Sequence, residues 1–234
     1  MTPYKLFAYW KARKETVDAC ADRLQRFLTK LSVCSPVFSK WFKRGMSRRK
    51  ALQHEIDFRD RQTLIALVEK GRIRTDVGKK VMEELGFLVG MWNGGKSTRA
   101  VGLSITCGSY STVRGIGRNC VLLDLPEELG DLQQWERVAD VVVAVATSWE
   151  PDWAGVFAQN EMNRQKLSAD VPLVDWMLYI SKKLVADPRV PEALSIQPVN
   201  AIGWLVVVDE GPAEVDNSTH LGKVQAVEAA LGIR

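Results

Sequence analysis

A chain of 234 residues, 46% hydrophobic and 26% charged, has enough apolar material for a packed core and is not disordered by composition. Its first residues, MTPYKLFAYWKARKE, lack the apolar run and small-residue cleavage site of a signal peptide, and its most apolar stretch, 138–147, is interrupted by Asp140 and is about half of the ~20 residues a membrane span needs, so a soluble, cytoplasmic protein without membrane contact is expected. The formal charge is +4, but residues 1–80 carry +12 and residues 120–160 carry −7, which excludes a uniformly basic or acidic surface.

In chain order, residues 4–10 (YKLFAYW) are aromatic and apolar and predict a strand. Thr16 to Leu31 predicts an amphipathic helix, with Val17, Cys20, Ala21, Leu24, Phe27, Leu28 and Leu31 recurring at three and four. Val37 to Phe42 reads as a short helical turn after Ser35-Pro36. Residues 51–70 read as helical up to Gly71, and 76–85 also read as helical. Gly94-Gly95 marks a turn. From Ala100 the character changes: 100–107 and 120–125 read as strands, joined by a Gly/Ser-rich loop. Asp131 to Ser148 predicts a second clear helix. Trp153–Ala158, Trp176–Ser181 and Trp204–Asp209 predict strands, and Gln225–Leu231 a terminal helix. No strand–helix–strand alternation runs through the chain. One α+β domain over 1–234 is therefore expected, helix-rich in 1–95 and strand-rich in 96–234, with a mainly antiparallel sheet flanked by helices.

Chemistry-bearing patterns are sparse. The cysteines Cys20, Cys34, Cys107 and Cys120 form no Cys-x-x-Cys pair, and His54 and His220 are the two histidines, so reduced core thiols are expected, with no metal site and no cofactor. Neither histidine has a patterned Ser, Cys or Asp partner, which argues against a catalytic triad and against an enzyme. Gly90 to Ser97 (GMWNGGKS) fits the phosphate-loop pattern, and Leu205 to Glu210 resembles an apolar strand ending in a magnesium-binding Asp209-Glu210. A phosphate loop needs a helix leading out, to supply amides and dipole. The residues after Ser97 carry β-branched side chains, Gly102 and no helical stripe. The expected reading is a Gly-Gly turn entering a strand, with nucleotide binding as an alternative. The basic run Lys40 to Lys50 contains Trp41 and Phe42 and keeps a nucleic-acid module open as a further alternative, although no nucleic-acid motif accompanies it.

The segment of charge −7 offers more. Trp149 and Trp153 flank Glu150-Pro151-Asp152, and aromatics beside carboxylates suit a protein-binding hot spot. The expected partner-binding residues are Asp124, Glu127, Glu128, Asp131, Glu150 and Asp152 for electrostatic contact, with Trp149 and Trp153 as anchors. Such a surface fits a partner whose own site is built to hold phosphates. Tyr9, Trp10 and Arg13 are expected to be structural, with the rings in the core and the guanidinium in a hydrogen-bonded pair.

Tyr9-Trp10-Lys11-Ala12-Arg13 followed by a helix carrying Cys20, then TSWEPDWA at 147–154 and IGWLVV at 202–207, resembles the immunity protein 52 family of bacterial polymorphic toxin systems. The similarity runs over nearly the whole chain. It implies an α+β fold, no enzymatic activity, and a cognate nuclease toxin of the restriction-endonuclease-like fold delivered by a type VI secretion system. Since the chain is +4 overall, binding would use a local acidic patch or a surface away from the toxin's active site.

Overall fold

The computed structural model describes residues 3–45, 47–113, 117–159, 171–212 and 217–233. The strands are β1 (Tyr4–Trp10), β2 (Phe42–Lys43), β3 (Phe87–Trp92), β4 (Gly102–Cys107), β5 (Asn119–Asp124), β6 (Trp153–Ala158), β7 (Met177–Ser181), β8 (Ser195–Val199) and β9 (Gly203–Val207). The helices are α1 (Val17–Cys34), α2 (Arg48–Ala51), α3 (Arg61–Lys70), α4 (Trp135–Trp149) and α5 (Ser218–Leu231). The nine strands form one sheet in the order β2-β3-β4-β5-β1-β6-β7-β9-β8. Every neighbouring pair is antiparallel. The α+β class and antiparallel sheet expected from sequence are therefore present, and helix-rich and strand-rich stretches share this single sheet.

Successive side chains on a strand point to opposite faces, so β1 feeds two cores. Leu6, Ala8 and Trp10 join Leu24, Phe27 and Leu28 of α1, Leu64 and Val68 of α3, and Val138, Val142 and Val145 of α4. Phe7 and Tyr9 join Trp153, Phe157, Leu178, Ile180 and Val206, beneath Val224, Val227 and Leu231 of α5. Helices thus cover one face along the sheet, whereas α5 covers only the β6–β9 half of the other. The β3–β4–β5 half of that second face has no helix over it among the described residues. Its outward side chains, including Ser104, Thr106 and Leu122, stay partly exposed, and Leu88 is 50% exposed.

Local chemistry explains where elements begin. Thr16 caps α1 by accepting the Ala19 N–H at 3.2 Å. Asp60 caps α3 by accepting from the Gln62 and Thr63 amides at 3.1 and 3.0 Å. That cap moves the helix start to Arg61, so the helix expected from 51 covers only the last part of 51–70. The helix expected over 76–85 is absent. Gly78 and Lys79 adopt left-handed conformations, a short 3-10 turn occupies Glu83–Leu85, and Gly86 follows at φ +69°. A side chain at Gly86 would collide with the Cys107 carbonyl, so the chain turns directly into β3. The terminal helix is longer than expected, since α5 begins at Ser218 behind an Asn217 cap. β8 (SIQPV) is a strand the sequence did not suggest, and it lies at an edge where Pro198 needs no ladder amide. The described cysteines are free thiols.

Candidate protein-docking face

The uncovered half of the sheet carries a groove at one end. β2 and α2, the structured parts of the basic run, overhang the end of β3, where Phe42 pairs with Trp92. Trp41 is buried and stacks on Phe38 at 6.5 Å, and Phe42 is buried as well, which holds the run to the core. Its charges point outward: Lys43, Arg44, Arg48, Arg49 and Lys50 are all exposed. Between this overhang and the sheet lies a cavity of about 560 Å³, bounded by Arg44, Arg48, Trp92, Gly102 and Asp124. That volume falls in the range of recognition pockets, roughly 300–1,000 Å³.

A glycine creates room. The groove-facing position on β4 is Gly102, whose register partner on β3 is Trp92, and Gly90 on β3 lies beneath the Arg44 side chain. A side-chain carbon at Gly90 would sit 3.4 Å from Arg44 Cδ. One at Gly102 would collide with the Asp124 carboxylate and lie 3.4 Å from Arg44 Nη2. Arg44 and Asp124 therefore converge over the same bare Cα. Arg44 donates from Nε to the Met91 carbonyl and from Nη2 to the Leu103 carbonyl, both at 3.4 Å. Arg48 donates to the Gly94 carbonyl at 3.3 Å and lies over the Trp92 ring at 6.0 Å. These bonds are long, and a guanidinium has five donors, so both side chains keep capacity for a carboxylate. Asp124 is ion-paired with Lys5 across β1–β5.

The acidic segment does not form one patch. Leu125 donates its amide to the Tyr4 carbonyl at 2.9 Å, and Asp152 donates its amide to the Tyr9 carbonyl at 2.8 Å. The two acidic groups therefore sit at opposite ends of β1, about 17 Å apart at ~3.4 Å per residue. Asp124, Glu127, Glu128 and Asp131 belong to the groove end. Glu128 accepts from Thr98 Oγ1 at 2.8 Å, which ties it to the segment leading into Ala100 at the groove wall. Glu127 is exposed, and Asp131 accepts from Ser35 Oγ at 2.8 Å. At the far end, Glu150 pairs with Arg23 at 3.3 Å and Asp152 accepts the Lys11 amide at 3.0 Å.

The tryptophan anchors expected in this segment are corrected: both are core residues. Trp149 is 0% exposed and Trp153 is 1% exposed. Trp149 stacks on Trp10 at 5.5 Å and meets Phe27 edge-on; Trp153 packs against Phe7. The turn they flank is exposed, but the rings face inward because α4 and β6 present them to the two cores. Tyr9 and Trp10 are buried. Arg13 donates to the Trp149 carbonyl at 2.8 Å, pairs with Glu15 at 3.2 Å, and lies over the Trp10 ring at 5.2 Å.

The phosphate-loop alternative is also corrected. Ser97–Arg99 is a three-residue 3-10 turn and β4 follows it, so no helix supplies amides to a phosphate. Asn93 Oδ1 instead accepts the Gly95 and Val101 amides, both at 2.9 Å, closing the turn on itself. Lys96 follows β3 and Asp209 follows β9, six strands away in the sheet, or ~29 Å at ~4.8 Å per strand.

Asp209 has another use that the sequence did not disclose. His220 Nδ1 lies 2.5 Å from Asp209 Oδ2, and His220 Nε2 lies 2.7 Å from Asp175 Oδ1. Lys223 also pairs with Asp209. Asp175 accepts the Ala158 amide at 2.8 Å through its other oxygen. Burial pulls the imidazole down, but the two carboxylates outweigh that effect and hold its pKa above the ordinary value. Burial likewise pushes Asp209 up, while His220 and Lys223 bring it below the usual carboxylate range. Both ring nitrogens face carboxylates, so the imidazolium ties α5 to β6, β7 and β9, and neither nitrogen is placed to act as a base. Spacings of 45 and 11 residues gave the sequence no local signal for this cluster.

A model of the immunity protein 52 family matches residues 2–233. Among solved structures, the Pseudomonas aeruginosa T6SS protein PA0821 is similar, with TM-score 0.61 and 9% identity over 100% of this chain and 77% of that one. At that identity the likeness is one of fold. No curated protein matches.

Proposed function

The chain belongs to the immunity protein 52 family, and from that premise we propose that it binds and neutralises a cognate nuclease toxin of a type VI secretion system, acting in the cytoplasm of the cell that makes the toxin. The observation that carries the reading is the extent of the family match: residues 2–233 include every strand of the sheet and the helices that pack on both of its faces. The similarity in fold to a T6SS protein supports the secretion-system setting. The restriction-endonuclease-like toxin fold enters through the sequence resemblance alone.

The molecule's chemistry favours binding over catalysis. The groove presents guanidinium groups and a carboxylate on a rigid sheet, and the buried histidine is committed to two structural carboxylates. Inhibition proceeds by stable association, either covering the toxin's catalytic cleft or blocking its assembly. A standard interface of roughly 1,600 Å² would suffice. No helix among the described residues is long and apolar enough to cross a membrane.

The test is co-expression with the toxin encoded by the adjoining gene, followed by co-purification and an assay of nucleic-acid degradation. A stable complex with suppressed degradation supports the reading. Unabated degradation with no complex refutes it.

A further inference from the structure

Resting on that reading, we propose that the toxin docks on the open β3–β4–β5 face, and that Arg44 and Arg48 receive carboxylates of the toxin's active site in the groove. Three observations carry this. Among the described residues, no helix covers this half of the sheet, and it exposes Leu88 beside partly exposed Ser104, Thr106 and Leu122. Its groove is built, because Gly102 leaves out a side chain that would collide with the Asp124 carboxylate. Its charge is bipolar, with Arg44 and Arg48 on one wall and Asp124, followed by exposed Glu127 and Glu128, on the other.

A bipolar surface matches the chemistry of a metal-dependent nuclease cleft. Such a cleft holds carboxylates that bind the metal, beside cationic groups that grip the phosphates. Guanidinium forks complement the first and glutamates the second. The planar Arg48 group resting on Trp92, and Arg44 resting on two strand carbonyls, are partly pre-oriented, which lowers the entropy lost on docking. The partly exposed strands around the groove supply the remaining contact area.

The experiment measures affinity by calorimetry between the whole protein and the catalytically inactive toxin encoded by the adjoining gene. The variants are Arg44→Glu/Arg48→Glu, Leu88→Glu on the same face, and Arg189→Glu as a distant control whose side chain is 89% exposed. All four changed residues are solvent-facing, and circular dichroism verifies folding. The double variant is expected to bind at least 100-fold more weakly, Leu88→Glu at least 10-fold more weakly, and Arg189→Glu like the parent. Parent affinity should fall as salt rises, and this dependence should shrink in the double variant. Parent binding with unchanged affinity in both face variants overturns this inference and leaves the toxin-binding reading intact. Failure of the parent to bind overturns both. Single-stranded DNA that saturates the groove, while toxin binding is indifferent to its presence, also overturns the inference in favour of a nucleic-acid site.

Discussion

Trp10 stacks on Trp149 with ring centroids 5.5 Å apart and planes 24° from parallel. This contact joins the two stretches that look most distinctive in the sequence, YWKAR at 9–13 and TSWEPDWA at 147–154. Around it Arg13 bonds the Trp149 carbonyl, Lys11 bonds Asp152, and Tyr9 pairs with Trp153 across β1–β6. The aromatic and charged residues of these motifs therefore lock α4 to the central strand, and the docking face proposed above does not include them.

Replacing Trp149 tests that assignment. Trp149→Ala empties a fully buried site and should cost about 3–5 kcal/mol of stability. Urea unfolding followed by circular dichroism reads the loss. The fraction that stays folded should bind toxin as the parent does; normal stability with lost binding would make Trp149 a contact residue after all.

The clamp on His220 makes stability depend on pH in a definite direction. The folded-state pKa of His220 lies above its unfolded value, so its contribution is complete below the unfolded value and is lost as pH rises through the folded one. Asp209 works in the opposite sense: its contribution is present above its unfolded pKa and lost as pH falls through the lowered folded one. Thermal melts should therefore show a plateau at mildly acidic pH, with declines on both sides. His220→Gln should flatten the alkaline decline and lower stability on the plateau by about 3 kcal/mol, the scale for leaving a buried charge unpaired. An unchanged alkaline limb in that variant would remove the clamp from the account.

The two ends of the acidic segment should behave differently. Glu127→Lys with Glu128→Lys alters the rim of the docking groove and should weaken toxin binding by roughly 10-fold, mostly through slower association. Glu150→Lys lies at the other end of β1 and should leave the association rate unchanged. Stopped-flow measurement at low salt separates the two. Equal effects would restore a single acidic surface.

The turn at Gly90–Ser97 should not respond to nucleotide. Titration of ATP with magnesium into the protein should give no binding heat, and Lys96→Ala should protect cells from the toxin as the parent does. Saturable heat abolished by Lys96→Ala would require phosphate contacts that the 3-10 turn does not provide.

Legibility in the sequence followed the range of the interactions. The α1 stripe from Cys20 to Leu31 and the apolar strands near the C-terminus set their own structure, so their positions could be read from pattern. The span 76–85 could not, because Gly86 is required by a carbonyl on a strand paired later in the chain. The groove of the proposed docking face was hidden for a similar reason. Arg44, Gly102 and Asp124 meet only through the order of strands in the sheet, and charge counting joined Asp124 to Glu150 although β1 separates them. The four-residue α2 and the two-residue β2 left no periodic signal, so the basic run appeared as charge alone. Trp149 and Trp153 misled for the converse reason: their polar neighbours occupy the turn, while the helix and strand on either side direct the rings inward.

Toxin neutralisation is tested by survival of cells expressing the toxin encoded by the adjoining gene, with and without this protein, alongside size-exclusion chromatography of the two together. The parent chain should protect the cells and co-elute with the toxin as one complex, and Arg44→Glu/Arg48→Glu should do neither. An active toxin that kills despite abundant folded protein, and elutes apart from it, would show that this chain does not neutralise it.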